Sequence, residues 1–497
     1  MTAAYPELET RFKRIALVRE ASGVLEWDRD ALMPSGGSAA RTEQLATLQV
    51  LAHQMVTDPA IGDLIARAGQ EQSSLDLWQN ANLRRMTRQW RHATCLPADL
   101  VEALSRATSE CEMRWRSARA ANDFKGLLPL LQRVLDLVRE SASIKAKAFG
   151  LSPYDALLDE SEPDTRSADI TALFDSLAGF LPGFIDAVLE RQAREAKATP
   201  PAGPFPVAKQ EALARRLMQA VGFDFAHGRL DTSAHPFCGG VPDDVRLTTR
   251  WDEADFMPGL MGVLHETGHA MYERGLPAAW RHQPVGNALS TSLHESQSLL
   301  VEMQACRSRE FIAFLAPLAA QTFGGTGPAW SADNLYRIYT KVERSFIRVD
   351  ADEATYPAHV ILRYRLESAM IAGDLKLADL PGAWAEEMKR LLGITPPDDR
   401  RGCLQDIHWP LGAWAYFPSY TLGAMTAAQF IDAARRAEPA IPEALARGDF
   451  APLMGWLRAN VHSKGSSLSA RELITAATGK PLDPEIYKRH LTRRYLN

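Results

Sequence analysis

Cysteine is scarce in this chain. Its 497 residues include five cysteines, Cys95, Cys111, Cys238, Cys306 and Cys403, which are scattered and never spaced as C-x-x-C. Such usage argues against a disulfide framework and suits a reducing compartment. Long apolar runs are missing as well. No stretch approaches the roughly eighteen consecutive apolar residues of a membrane span, so none is expected. The opening "MTAAYPELETRFKRIALVRE" is charged and has no apolar core of signal-peptide type, so a cytoplasmic location is expected. Neither sign of charge dominates, with 56 Lys and Arg against 61 Asp and Glu, for a net charge of −5. A nucleic-acid partner or a membrane surface is therefore not expected. Internal repeats and low-complexity tracts are also lacking.

What is present is ordinary for a large globular body: 46% hydrophobic and 24% charged residues. Apolar positions recur at three and four over 5–23, 38–57, 60–70, 75–92, 97–121, 126–149, 166–195 and 208–221. The same period returns at 287–322, 331–349, 358–372, 381–393, 418–436, 441–447, 450–462 and 468–478. Breakers such as "MPSGG", "LSPYD" and "ATPPAGPFP" separate these segments. The exception is "RLDTSAHPFCGGVPDDVRLTTRW" (229–251), whose alternation and β-branched residues predict two or three short strands. The expected fold is mainly α with a small sheet, in a single catalytic domain over 1–497. The Pro-rich 198–206 marks two possible lobes, 1–200 and 201–497, that are not independent.

The chemistry-bearing stretch is "GVLHETGHAMYERG" (262–275). Asp255 can cap a helix here, Pro258 is tolerated in its first turn, and Gly275 followed by Pro277 predicts a left-handed stop. On that helix His265 and His269 are four apart, about 40° of rotation, so their rings point the same way. Glu266 projects roughly 100° away. An H-E-x-x-H helix of this kind offers two zinc ligands and a carboxylate beside the metal to accept a proton from water. A third, carboxylate ligand is expected on a second helix. Glu295 in "NALSTSLHESQSLLVEMQACRSREF" (287–311) is the choice, ahead of Glu302, Glu273 and His294.

"HETGH" followed by "HESQS" resembles the carboxypeptidase Taq family of zinc metallocarboxypeptidases. Further stretches are similar to that family's signatures: "HPF" (235–237), "DVRLT" (244–248), "IRVDAD" (347–352), "GCLQDIHW" (402–409) and "WDRDALMPSGGSAARTEQLATL" (27–48). They run in order along essentially the whole chain. The resemblance implies a deep groove between two helical lobes, a homodimer, and removal of C-terminal residues from peptides with broad specificity. It implies one Zn2+ per subunit on His265, His269 and Glu295, for which Co2+ or another divalent metal can substitute. Glu266 is then the general base, and Tyr420, assisted by His408, stabilises the oxyanion. Tyr416, in the same stretch, is expected to contact the substrate. For the free carboxylate, the family's motifs offer Arg348 and Arg246, because a guanidinium fork pairs both oxygens. Arg348 is preferred, while Arg246 is expected to pair with Asp244 and shape the floor of the substrate site, with His235 nearby.

Overall fold

A computed structural model of the chain describes residues 4–497. Among the described residues it contains twenty α-helices and one three-stranded sheet, so the fold is mainly α with a small sheet. The chain forms two compact units, each assembled from separated segments. The first takes the residues up to Ala93, Lys197–Tyr339 and Thr426–Leu482; the second takes Thr94–Ala196, Thr340–Met425 and Asp483–Asn497.

In the first unit, β1 (Gly228–Thr232) pairs in parallel with β3 (Asp244–Thr249). β2 (Phe237–Val241) pairs antiparallel on β3's other side, giving the order β1-β3-β2. One face buries Leu230, Val245 and Leu247. On the other face Arg229 and Arg246, in register, place their guanidinium carbons 5.1 and 4.7 Å from the ring centre of buried Trp27. The helix Phe256–Gly275 packs against β2 and β3. Asp255 caps it, its side chain accepting from the Met257 N–H at 3.0 Å. Leu260, Val263, Leu264, Ala270, Met271 and Tyr272 are all buried, so the helix is apolar nearly all round.

Its end differs from the expected left-handed stop. Gly275 remains within the helix, and Leu276 follows in extended conformation at φ −62°. The glycine is required for packing instead, because a Cβ there would collide with the His462 ring.

Other expectations from periodicity also shift. The segment 287–322 is not one helix but three pieces: Thr291–Leu299, a π-helical turn Leu300–Cys306, and Arg309–Phe323 capped by Ser308. The segment 331–349 is helical only over Ala332–Tyr339. "LSPYD" does not simply break the chain; Ser152 caps a new helix, Pro153–Ser161, by accepting from the Asp155 N–H.

In the second unit, Pro484–Tyr495 forms a helix that lies outside the segments expected from periodicity. It is held by a polar anchor. Buried Glu353 accepts from His490 Nε2 at 2.8 Å, Arg494 Nη1 at 2.7 Å and Tyr495 Oη at 3.0 Å. The helix Ser167–Arg194 is long and apolar enough by length and composition to cross a membrane, although scattered apolar residues rather than one run make it so. Here its apolar side, including Phe174, Leu177, Leu181 and Phe184, is buried. It packs against Tyr356–Ala372, Leu380–Leu392 and Pro484–Tyr495.

Candidate metal centre and a cationic cluster

The metal candidates depend on how closely two helices approach in the first unit. A Cβ on Gly268 would fall 2.5 Å from the Gln297 carbonyl oxygen and 2.6 Å from the Ser298 Cα. Only glycine permits that separation, which brings Glu295 on Thr291–Leu299 beside the two histidines. Glu295 Oε2 lies 3.6 Å from His269 Nε2 and 4.0 Å from His265 Nε2. One ligand atom from each of the three residues falls within 4.8 Å of the others. Tetrahedral N and O ligands at about 2.0–2.2 Å from a zinc ion lie roughly 3.3–3.6 Å apart, so the donor set fits a divalent cation, with the 3.6 Å pair at that spacing and the 4.0 Å pair slightly wider.

The rival ligands have other positions. Glu302, seven residues after Glu295 and two turns further on, accepts from His265 Nδ1 at 2.9 Å, and Arg307 Nη2 donates to its other oxygen at 2.6 Å. His294 meets His269 Nδ1 through its own Nδ1 at 2.6 Å and Glu273 Oε1 through Nε2 at 2.9 Å. These groups hold the outer nitrogens and leave both Nε2 atoms facing Glu295. Supporting contacts of this kind orient metal-binding imidazoles.

The electrostatics agree. Burial, reinforced by His294 and His265, lowers His269 well below the usual imidazole value, keeping it neutral as a ligand must be. Burial would lower His265 too, but the Glu302 hydrogen bond and the carboxylates of Glu295, Glu302 and Glu266 outweigh it and push it up to about 10. A cation on Nε2 must displace that proton. Glu266 is 7% exposed. Burial raises it to about 7, opposed by His265 and supported by Glu295 and Glu302.

Two other first-unit candidates are placed differently. Arg246 is paired with Asp244 at 2.5 Å and stacked on Trp27. His235 is exposed on the β1–β2 connection, where its carbonyl accepts from Ser233 Oγ at 2.5 Å.

The remaining candidates lie in the second unit. Arg348, 6% exposed, donates through Nε and Nη2 to Asp406 Oδ1 at 3.1 and 3.0 Å and through Nη1 to Tyr356 Oη at 2.7 Å. Its guanidinium carbon lies 5.1 Å from the Tyr420 ring centre. Fully buried Arg363 binds the other Asp406 oxygen at 2.6 Å. Burial alone would raise Asp406, but Arg363 and Arg348 outweigh it and hold the carboxyl at about 2. Tyr420 stands in the first turn of the helix Pro418–Ala437. His408 Nε2 is 3.4 Å from its hydroxyl, and the Tyr416 ring stands edge-on at 5.7 Å. Burial lowers His408 to about 4, so its ring is neutral near pH 7.

Sequence reasoning assigns no role to Asp406, Arg363 or Tyr356. Asp406 lies inside "GCLQDIHW", one of the signature-like stretches, but nothing in that string shows that it bridges two arginines.

A mainly α fold with an H-E-x-x-H helix and a carboxylate on the next helix is the arrangement of a metallopeptidase, with two histidines and one glutamate as the candidate ligands. The family model described as carboxypeptidase Taq (M32) metallopeptidase matches residues 7–495. The chain is 37% identical to thermostable carboxypeptidase 1 of Thermus thermophilus, over 99% of this chain and 98% of that one. It is 31% identical to carboxypeptidase 1 of Bacillus subtilis, covering 98% and 96%. Among solved structures, metallocarboxypeptidase 1 of Trypanosoma cruzi superimposes with a TM-score of 0.98 at 41% identity, over 99% of each chain. The M32 carboxypeptidase of Deinococcus radiodurans does so with 0.92 at 35%, over 99% and 98%. The chain belongs to the carboxypeptidase Taq (M32) family of metallopeptidases, and it is a metallocarboxypeptidase that removes C-terminal residues from peptides.

Proposed function

We propose that the divalent metal of this carboxypeptidase is zinc, held by His265, His269 and Glu295, and that substrate specificity is broad. The observation that supports the reading most is the meeting of three donor atoms of zinc-binding type within 4.8 Å. Cobalt, which also accepts imidazole and carboxylate, should substitute. Zinc in such a site acts as a Lewis acid, acidifying a water and polarising the scissile carbonyl.

The protein groups do the rest. Glu266 takes the proton of the attacking water on a carboxylate oxygen and later delivers it to the leaving amine. Its carboxyl, raised by burial to about 7, suits both directions of transfer near neutral pH. The Tyr420 hydroxyl donates to the developing oxyanion, with neutral His408 beside it to keep the phenol oriented. Tyr416 packs edge-on against that ring.

Arg348 anchors the free carboxylate. Two guanidinium groups share the single carboxylate of Asp406, so the cluster retains positive charge that a second carboxylate can neutralise. Arg348 lies 5.1 Å from the Tyr420 ring. Arg246 and His235 are assigned a secondary, shaping role toward the peptide. A homodimer and a cytoplasmic site of action also belong to this reading; family resemblance supports the first and five free cysteines the second.

The test compares a peptide with its C-terminal amide. A charge-assisted contact contributes about 1.5–3 kcal/mol, so the amide should be cut roughly 10-fold to 10²-fold more slowly. Arg348→Ala should slow the free acid and abolish the difference. Equal cleavage of acid and amide by the unaltered enzyme would remove the anchor from Arg348.

A further inference from the structure

The two histidines of the metal centre are supported by unequal devices. His265 is served directly by a buried carboxylate, Glu302, which Arg307 neutralises. His269 reaches its carboxylate only through a second imidazole: Glu273 to His294 to His269, at 2.9 and 2.6 Å. All of these groups lie in the first unit.

The chemistry of the three groups permits one self-consistent arrangement of protons. A carboxylate only accepts, so Glu273 Oε1 fixes the His294 proton on Nε2. An imidazole that binds a cation through Nε2 carries its proton on Nδ1, so in the loaded site the 2.6 Å contact has His269 Nδ1 donating and His294 Nδ1 accepting. The His269 Nε2 lone pair is then directed toward Glu295 Oε2, 3.6 Å away. Reversing the direction of either bond would put the His269 proton on Nε2, where it would block a cation. Within this relay it is Glu273 that sets the direction.

We propose that Glu273 is a positioning residue for metal binding, acting through His294 to fix the tautomer of His269. The inference rests on the reading that His265, His269 and Glu295 hold the cation. Glu273 borders a cavity of about 260 Å³ also lined by Glu20, Arg281 and His282. The side chains of His294 and Glu273 are 27% and 25% exposed, so replacing either opens no sealed core.

The test uses the full-length protein with three variants and zinc itself as the probe. Glu273→Leu removes the acceptor. Glu273→Gln keeps one through its amide oxygen. His294→Ala removes the intermediate ring. In competition with a chelator, Glu273→Leu and His294→Ala should each weaken zinc binding by about 10-fold to 10²-fold, the usual scale for an outer-shell partner. Glu273→Gln should recover most of the loss, and the Leu/Ala double variant should be no weaker than His294→Ala alone.

A merely structural role would not move the second readout, the nitrogen-15 shifts of labelled histidines in metal-free protein. These should show His269 protonated on Nδ1 in the parent and a mixture of tautomers in Glu273→Leu, at an unchanged unfolding midpoint. Parent-like zinc affinity and tautomer in Glu273→Leu, with metal lost in His269→Ala, would overturn the inference while leaving the metal site intact. Metal retained in His269→Ala would overturn the site reading and this inference with it.

Discussion

The two units concentrate opposite charge. Around the histidines of the first, four carboxylates, Glu266, Glu273, Glu295 and Glu302, gather with one guanidinium, Arg307, paired to them. Around the tyrosine of the second, Arg348 and Arg363 share one carboxylate, Asp406. Buried charge left unbalanced is costly, so on the proposed reading each cluster takes a ligand of the missing sign. The first, with protonated His265 and Arg307 against four carboxylates, has fewer positive than negative groups and suits a divalent cation in place of the His265 proton. The second lacks negative charge and suits a peptide's terminal carboxylate. A metallocarboxypeptidase needs both, and the comparison gives the division of labour a physical basis.

The sharpest way to break the comparison is to remove one charge from each cluster. Glu266→Gln keeps the shape and should lower kcat by about 10²-fold to 10⁴-fold, with zinc content unchanged, because only proton transfer is lost. Near-parent turnover would place the base elsewhere. In the second unit, Asp406→Asn leaves two buried guanidiniums without their shared counter-ion. The expected loss is about 3–5 kcal/mol of stability, read by denaturant unfolding. A change below about 1 kcal/mol would show that the excess positive charge is already solvated.

A smaller effect tests how the first cluster is assembled. Gly268→Ala must push the helix Thr291–Leu299 away, because a Cβ there would meet backbone atoms at 2.5 and 2.6 Å. Overpacking of this kind costs about 1–3 kcal/mol and should carry Glu295 off its position, weakening zinc binding. Gly262→Ala on the same helix is the control, since its Cβ would meet nothing closer than 3.9 Å. Equal effects of the two substitutions would separate the close approach from metal binding.

The smallest expected effect is a proton count. The carboxylates around His265 raise its pKa to about 10, whereas a ligand imidazole must be unprotonated on the nitrogen that binds metal. Below about pH 10 the free site therefore holds a proton that the loaded site does not. Zinc affinity should rise by up to about tenfold per pH unit from pH 7 toward 10 and then level off. Calorimetry at pH 8 in two buffers of different ionisation enthalpy should show release of about one proton per zinc bound. No release would mean that the surrounding carboxylates do not control His265.

Much of the first cluster is legible in the amino-acid sequence. His265, Glu266 and His269 follow from helical geometry, and Glu295 follows from the need for a carboxylate on a returning helix. The functions of Glu302 and His294 are not legible there. Each is a plausible ligand by residue type, and only the side of the imidazole it contacts separates an orienting group from a ligand. Spacing carries no such information. The second cluster is less readable still. Arg348, His408 and Tyr420 enter through family resemblance, while Asp406, which links Arg348 to Arg363, is 58 residues from the first and 43 from the second.

The fold divides in the same way. Regular amphipathic segments such as Pro418–Ala437 match their apolar spacing almost to the residue. Segments whose order depends on polar contacts do not. The helix Pro484–Tyr495, anchored on Glu353, carries only a short apolar stripe, Ile486, Tyr487, Leu491 and Tyr495, and the π turn at Leu300–Cys306 interrupts a spacing that reads as continuous helix.

The most direct test is elemental analysis of zinc in the parent protein, Glu295→Ala and Glu302→Ala, each loaded with excess zinc and passed through a desalting column. A three-ligand site on His265, His269 and Glu295 predicts one zinc per chain in the parent, loss of zinc in Glu295→Ala, and retention with weakened affinity in Glu302→Ala. Full zinc in Glu295→Ala together with its loss in Glu302→Ala would contradict the account and make Glu302 the third ligand.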